Sequence, residues 1–277
     1  MPVVTEGPPS SAWSDESLID RDSAQAARVY DYLLGGVDHF AVDRQAAQTM
    51  YATAGGIELA RRRVRANRDF LGRAVRYLAG EAGIDQFLDL GCGIPNADNV
   101  HGIAQQIAPN TRIVYVDHDP VVLAHAHTLK HSSPQGATTF IYGDLRDHET
   151  ILHQATETLD FSKPTAVVMV GVLHHFHDDE HPENFVRAYL DAVCPGSYLV
   201  LENVGKESEH VAKVGEVMKD LPDAGFTLIP RTRAEMERFF TGTELIEPGL
   251  VFVDHWHPTG PLPDYETRHP CGIGRKP

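Results

Sequence analysis

Cysteine is scarce in this chain, and the three present, Cys92, Cys194 and Cys271, are widely spaced with no CxxC pair. That excludes a disulfide framework and suggests no zinc site. Positive charge is also in deficit: 24 Lys and Arg stand against 39 Asp and Glu, for a formal charge of −15. Such a field repels polyanions, so neither nucleic acid nor an anionic membrane is expected as a partner. The one basic concentration, Arg61, Arg62, Arg63, Arg65 and Arg68, reads as the solvated face of a helix. No apolar run is long enough to span a membrane. Met1–Asp22 lacks the basic and apolar regions of a secretory signal and reads as a flexible tail (1–22) on a protein of the reducing cytoplasm.

What remains is an ordinary globular composition, 42% hydrophobic and 23% charged over 277 residues. It is enough for one large α/β domain with a substantial core. A helix is expected from about Ala24 to Leu34, capped by Ser23 and stopped by Gly35-Gly36. A second follows Asp43 and stops at Gly55-Gly56. A third carries Ile57, Ala60, Val64, Leu71, Ala74 and Leu78 on one stripe, with Asn67 inside it. These helices form an extension over residues 23–84.

From Gln86 the pattern changes to short apolar runs separated by helical stretches: Phe87–Leu90, Arg112–Val116, Thr139–Tyr142, Ala166–Val170 and Tyr198–Leu201. Near-continuous apolar strands of this kind indicate a parallel sheet buried on both faces. Helices are expected near Lys206–Leu221 and Arg233–Phe240, and strands at Thr243–Ile246, Leu250–Val253 and Cys271–Arg275. The fold class is α/β and doubly wound, with a core at 85–277.

Three strand tips carry chemistry. The first ends in Asp89-Leu90-Gly91-Cys92-Gly93, where glycines let the backbone approach a ligand at the carboxyl edge of the sheet. At the second tip, Val116-Asp117-His118-Asp119-Pro120, Asp117 can accept from a ribose diol while Asp119 caps the next helix. The third, Gly143-Asp144-Leu145, offers an acceptor for an exocyclic amine and an apolar cover for a purine. The three in order suit an adenosine.

These motifs resemble those of class I S-adenosylmethionine-dependent methyltransferases. The wider sequence is similar to a family of actinobacterial S-adenosylmethionine methyltransferases first described as a domain of unknown function. The likeness is carried by Ala27–Gly36, Ala66-Asn67-Arg68, Val172-Leu173-His174, Pro195–Leu201 and Gly274–Pro277. It implies a Rossmann-like, mostly parallel seven-stranded sheet with an antiparallel C-terminal strand. It also implies S-adenosyl-L-methionine as cofactor, held by Gly91, Cys92, Gly93, Asp117, His118, Asp144 and Leu145. Cys92 stands where the family's loop usually has Thr, and the histidine-rich stretch after the fourth strand is a departure.

Methyl transfer from a sulfonium is an in-line displacement that asks chiefly for positioning. If a base is used, His174 is the candidate, since it follows the fourth strand and histidine titrates near neutrality. Asn67 is a further candidate for the glycine loop or the amino-acid end of the cofactor. The N-terminal helices are expected to cap the cofactor edge, with Tyr30, Asp31, Gly36 and Asp38 helping to build the pocket of a small-molecule acceptor. His174, His175, His177, Asp178, Asp179 and His181 match no metal-ligand pattern, and no metal is expected. The rival readings are an NAD(P)-dependent oxidoreductase, which would want a third glycine where Asn96 stands, and a non-catalytic S-adenosylmethionine-binding protein. The acceptor and the oligomeric state stay open.

Overall fold

The computed structural model describes residues 19–52, 54–95, 99–129, 132–207, 209–219, 225–265 and 267–277. Most of the expected tail, and Asn96, lie outside them. Three helices open the described chain: α1 (Ala26–Leu34), α2 (Ala41–Tyr51) and α3 (Gly56–Arg76), the last continuing as a π-helical turn, Tyr77–Glu81. There follow β1 (Gln86–Leu90), α4 (Val100–Ile107), β2 (Arg112–Asp117), α5 (Pro120–Leu129), β3 (Ala137–Tyr142), α6 (His148–Ala155), β4 (Ala166–Val170), α7 (Pro182–Ala192) and β5 (Tyr198–Glu202). The chain closes with α8 (Glu209–Lys219), α9 (Arg233–Glu237), β6 (Glu244–Leu245), β7 (Val251–Phe252) and β8 (Pro270–Arg275).

The strands form one sheet ordered β3-β2-β1-β4-β5-β8-β6, with β7 also paired to β8. β3 through β5 pair in parallel and β8 runs antiparallel to β5. The sheet is therefore mostly parallel with an antiparallel C-terminal strand, and among the described residues it has eight strands rather than seven. The difference arises because β6 and β7 are two short strands that share the outer edge of β8.

Alternate residues of the strands enter two separate cores, as the pleat requires. Phe87, Ile113, Tyr115, Val168 and Val200 pack with α3, α4 and Trp256 on one face. Leu88, Leu90, Val114, Val167 and Leu199 pack with α6 and α7 on the other. A third cluster joins the N-terminal helices through Val29, Leu33, Ala47, Ala60 and Val64. α3 belongs to both worlds: its early residues fill the cap, and Phe70, Leu71, Ala74 and Val75 fill the sheet core.

Two helix starts differ from expectation. α1 is capped not by Ser23 but from outside, since Gln25 N–H donates to Asp43 Oδ1 at 3.0 Å. Asp43 lies within the first turn of α2, where its Oδ2 accepts the Phe40 N–H at 2.7 Å, so that helix begins earlier than the sequence suggests. The same carboxylate pairs with the fully buried Arg28 at 3.2 Å, and one acid thereby ties α1 to α2. Gly35, at φ = +86°, supplies the left-handed stop of α1.

Candidate active site

The carboxyl ends of the strands face the N-terminal helices across a cavity of about 610 Å³. Its floor is built from the tips of β1, β2, β3 and β4. After β1 the chain turns at Gly91 (φ = +76°) and Gly93 (φ = +67°). The two glycines serve different ends. A Cβ on Gly91 would lie 2.5 Å from Val172 Cγ2, so this residue is small because β4's loop packs on it. A Cβ on Gly93 would meet no atom within 4 Å; it faces open space that a ligand can enter. Cys92 lies between them on the same wall, its thiol pushed well up by burial and so kept neutral.

Asp117 ends β2 and is buried, with both oxygens in use. Oδ2 accepts the Gly93 N–H at 2.8 Å and Oδ1 the Asp119 N–H at 3.0 Å. A carboxylate has about four lone-pair sites, so the residue clamps the glycine turn and keeps acceptor capacity toward the cavity. Asp119 in turn accepts from Val121 N–H at 2.8 Å at the start of α5. His118 also lines the cavity but is 77% exposed, with Nδ1 4.0 Å from Asp117.

At the β3 tip, Leu145 is buried in the wall. Asp144 is not simply waiting for a donor: it is paired with Arg146 Nε at 3.0 and 3.1 Å, and those bonds hold its carboxyl below the usual carboxylate range. Arg146 also reaches Glu180 at 3.2 Å. Behind the turn, burial pushes Asp89 up to about 7, against the pull of Arg68.

The arginine run is not one solvated face. Arg62 and Arg65 are exposed, but Arg63 is buried and Arg68 half-buried, and both line the cavity. Burial draws the Arg63 guanidinium down from its ordinary value. Arg63 falls on the stripe of Ala60 and Asn67, and helical position overrode residue type.

Among the cap residues, Tyr30, Asp31 and Gly36 line the cavity. Tyr30 donates from its hydroxyl toward Val64 O and Asn67 Oδ1, each at 3.2 Å. Burial drives that phenol far up, so it acts as a donor and not as a base. Asn67 is thus both anchored and on the wall. Asp31 accepts from Asp38 N–H and faces His39 Nδ1, each at 2.9 Å. Gly36 is required here, because a Cβ would overlap Asp31 Oδ1. Asp38 stands apart from the wall, its carboxylate 3.4 Å from His125 Nε2 on α5.

His174 follows β4 on a single 3-10 turn, lines the cavity and has no hydrogen-bond partner at Nδ1. Burial, with His175, His269 and Arg231 nearby, holds its pKa well below 6.5. That environment disfavours the imidazolium a base must become. His177 and Asp178–His181 are exposed, Glu180 alone among them lining the cavity, and among the described residues no three His, Cys, Asp or Glu side chains converge on a metal position.

Residues the sequence reading passed over complete the far wall: Met50 and Tyr51 from the end of α2, Val211 and Val214 from α8, Phe226, and His269 just before β8. Glu202, one residue past the expected end of the fifth strand, lies fully buried beside His269. An acid at the tip of a buried strand was the signal already used at Asp117 and Asp144.

A glycine turn and two acids on successive tips of a parallel sheet, with an antiparallel last strand, are the marks of a class I S-adenosylmethionine-dependent methyltransferase. The chain belongs to the S-adenosyl methyltransferase family, which it matches over residues 12–277. Among solved structures it is similar to a DUF574 family protein from Streptomyces avermitilis MA-4680, at 37% identity and a TM-score of 0.87, over 93% of this chain and 99% of that one. It is also similar to a protein from Thermobifida fusca YX named as a candidate methyltransferase, at 38% identity and a TM-score of 0.84, over 95% of this chain and 98% of that one. TnmH shares the fold at 17% identity and a TM-score of 0.51, over 80% of this chain and 57% of that one. No curated protein matches the sequence. The cofactor is S-adenosylmethionine, and among the described residues no helix is long and apolar enough to cross a membrane.

Proposed function

We propose that the protein methylates a small organic molecule held between the helical cap and the carboxyl edge of the sheet, in the cytoplasm and without a nucleic-acid partner. One observation carries this reading. The cavity runs without a break from the glycine turn and Asp117 to an apolar wall of Met50, Tyr51, Val211, Val214 and Phe226, so one space serves both cofactor and acceptor. The formal charge of −15 supports a small or uncharged partner over a polyanion.

The residues fit the cofactor. Gly93 offers space that any Cβ would fill, Asp117 keeps lone pairs for a diol, and Leu145 and Asp144 stand where a purine face and its amine would lie. Gly91, Cys92, His118 and Asn67 complete that half of the wall, with Asn67 toward the amino-acid end. Bound S-adenosylmethionine supplies an electrophilic methyl group on a sulfonium. The chain's own work is to orient it, exclude water with α1 and α2, and seat the acceptor in line. On this reading residues 23–84 are the cap and 85–277 the catalytic core, and Tyr30, Asp31 and Gly36 belong to the acceptor's side. Asp38, turned toward His125, supports the cap. His174, kept neutral, is a wall residue and at most a hydrogen-bond partner.

The test is mass spectrometry of small molecules released from purified protein, followed by incubation with S-adenosylmethionine and fractionated metabolite extract. Adenosylhomocysteine formed in step with one methylated metabolite is the expected result. A co-purifying dinucleotide, or cofactor affinity without turnover on any fraction, refutes the reading.

A further inference from the structure

Glu202 ends β5 fully buried, and neither carboxylate oxygen accepts a hydrogen bond. A fold tolerates a buried acid of this kind when something nearby uses it. Beside it stands His269, whose Nδ1 lies 3.0 Å from Oε1, within hydrogen-bond reach though not aligned for one. The other oxygen, Oε2, lies 3.9 Å from where a Cβ on Gly171 would sit, and Gly171 lines the cavity. His269 lines it too, and with Nδ1 buried beside Glu202, Nε2 is the ring nitrogen left to serve the cavity.

The pair occupies the end of the site left over by the cofactor. In the order β3-β2-β1-β4-β5-β8, the adenosine-fitting tips are the first three, and Glu202 and His269 belong to the last two. The backbone fixes His269 there: its carbonyl accepts Val253 N–H at 2.9 Å, and the next carbonyl, of Pro270, accepts Asn203 N–H at 3.1 Å. The other titratable groups facing the pair are Tyr30 on α1, His174 after β4, and Cys271 on β8. His174 has His175, His269 and Arg231 beside it, whereas His269 has the Glu202 carboxylate 3.0 Å from its Nδ1.

We propose, resting on the methyl-transfer reading above, that His269 takes the acceptor's proton and that Glu202 is its positioning residue. The acceptor class is then an aromatic or enolic hydroxyl compound, its ring against the apolar wall of Tyr51, Val214 and Phe226. The acceptor's O–H proton passes to His269 Nε2. The oxygen lone pair forms the new O–C bond as the methyl C–S bond breaks, and that bond's electron pair stays on sulfur. The products are a methyl ether, the neutral thioether adenosylhomocysteine, and an imidazolium beside Glu202 that later gives its proton to water.

The test needs no acceptor. Long-range proton–nitrogen spectra of full-length protein labelled in histidine nitrogen are recorded with adenosylhomocysteine bound, and His269 is assigned by its loss in His269→Gln. At the alkaline end of a titration the expected ring is protonated at Nδ1 and bare at Nε2, and in Glu202→Gln it takes up its second proton at lower pH than in wild type. Adenosylhomocysteine affinity by calorimetry should stay within about twofold of wild type in both variants. A proton on Nε2, proton uptake indifferent to Glu202→Gln, or a large affinity loss in either variant overturns the proposal. Failure of the wild type to bind adenosylhomocysteine overturns instead the reading beneath it. Should Glu202→Gln not fold, the wild-type tautomer still decides.

Discussion

Replacing Asp117 with alanine tests the cofactor half of the site, and its effect divides into two measurable parts. Within the protein, Asp117 accepts the N–H groups of Gly93 and Asp119 at 2.8 and 3.0 Å. Each is a hydrogen bond to a charged group, of the order of 1.5–3 kcal/mol when the partner is lost. Alanine leaves both donors to water or to nothing, so thermal unfolding should show a loss of several degrees without cofactor. Toward the cavity the carboxylate keeps about two lone-pair sites, the right number for a ribose diol. Losing those contacts should cost about 2–3 kcal/mol, or roughly 30- to 150-fold in Kd for adenosylhomocysteine. Calorimetry reads the second part once circular dichroism shows the variant folded. If folded Asp117→Ala bound adenosylhomocysteine with wild-type affinity, Asp117 would be a clamp on the glycine turn and nothing more, and the diol would have to be held elsewhere.

Asp144→Ala should weaken adenosylhomocysteine by less, about tenfold at most, because its carboxylate is 39% exposed and already shared with Arg146; the same calorimetry ranks the two. Gly93→Val should leave a folded protein, since its Cβ meets no neighbour, at a backbone cost of about 1–2 kcal/mol for a positive φ; binding should nonetheless be lost, and retained affinity would show that the space above the turn is not the cofactor's. Asp89 gives a pH signature. Its folded value is raised to about 7 from an ordinary 3.8, so the native state keeps a proton that the unfolded chain has released. The stability this adds is full below the unfolded value and is lost as pH rises from about 4 to 7. Asp89→Asn should therefore raise the melting temperature of the cofactor-free protein near pH 8 and not near pH 4, and an equal change at both would refute a buried, protonated Asp89.

The parts of this architecture written locally are the parts the sequence makes legible. Five parallel strands announce themselves as apolar runs, and the residues at their tips follow because a strand's end and the next helix's start are neighbours in the chain. Asp119 and Val121 show this: two residues apart, they make the cap expected of them. What depends on distant segments is not legible in this way. Ser23 has the chemistry of a cap, yet Asp43 from the next helix takes the position, while the Ser23 carbonyl accepts from Arg28. The arginine run misleads because its members were judged by charge together, whereas Ala60, Arg63 and Asn67 follow one helical stripe and Arg62 and Arg65 the opposite face. His269 and Glu202 meet only because β8 returns antiparallel against β5, a pairing that no spacing along the chain encodes.

That return also explains why the helical cap lies before β1 and the polar end of the site after β5. With β1 at the centre of the parallel strands, the helix leading into it, α3, crosses the sheet's middle and carries Arg63, Asn67 and Arg68 over the edge. α1 packs on α3 and is fixed to it by the Tyr30 hydroxyl, so the cap cannot shift without moving Asn67. In the sheet the β2 and β3 tips lie to one side of β1, and the β4, β5 and β8 tips to the other. Parallel strands need helical crossovers, which cover the two faces of the sheet and leave its carboxyl edge open. The antiparallel β8 needs none at that edge and brings a loop residue, His269, directly to it. A sheet that ended at β5 would leave Glu202 with no histidine to face.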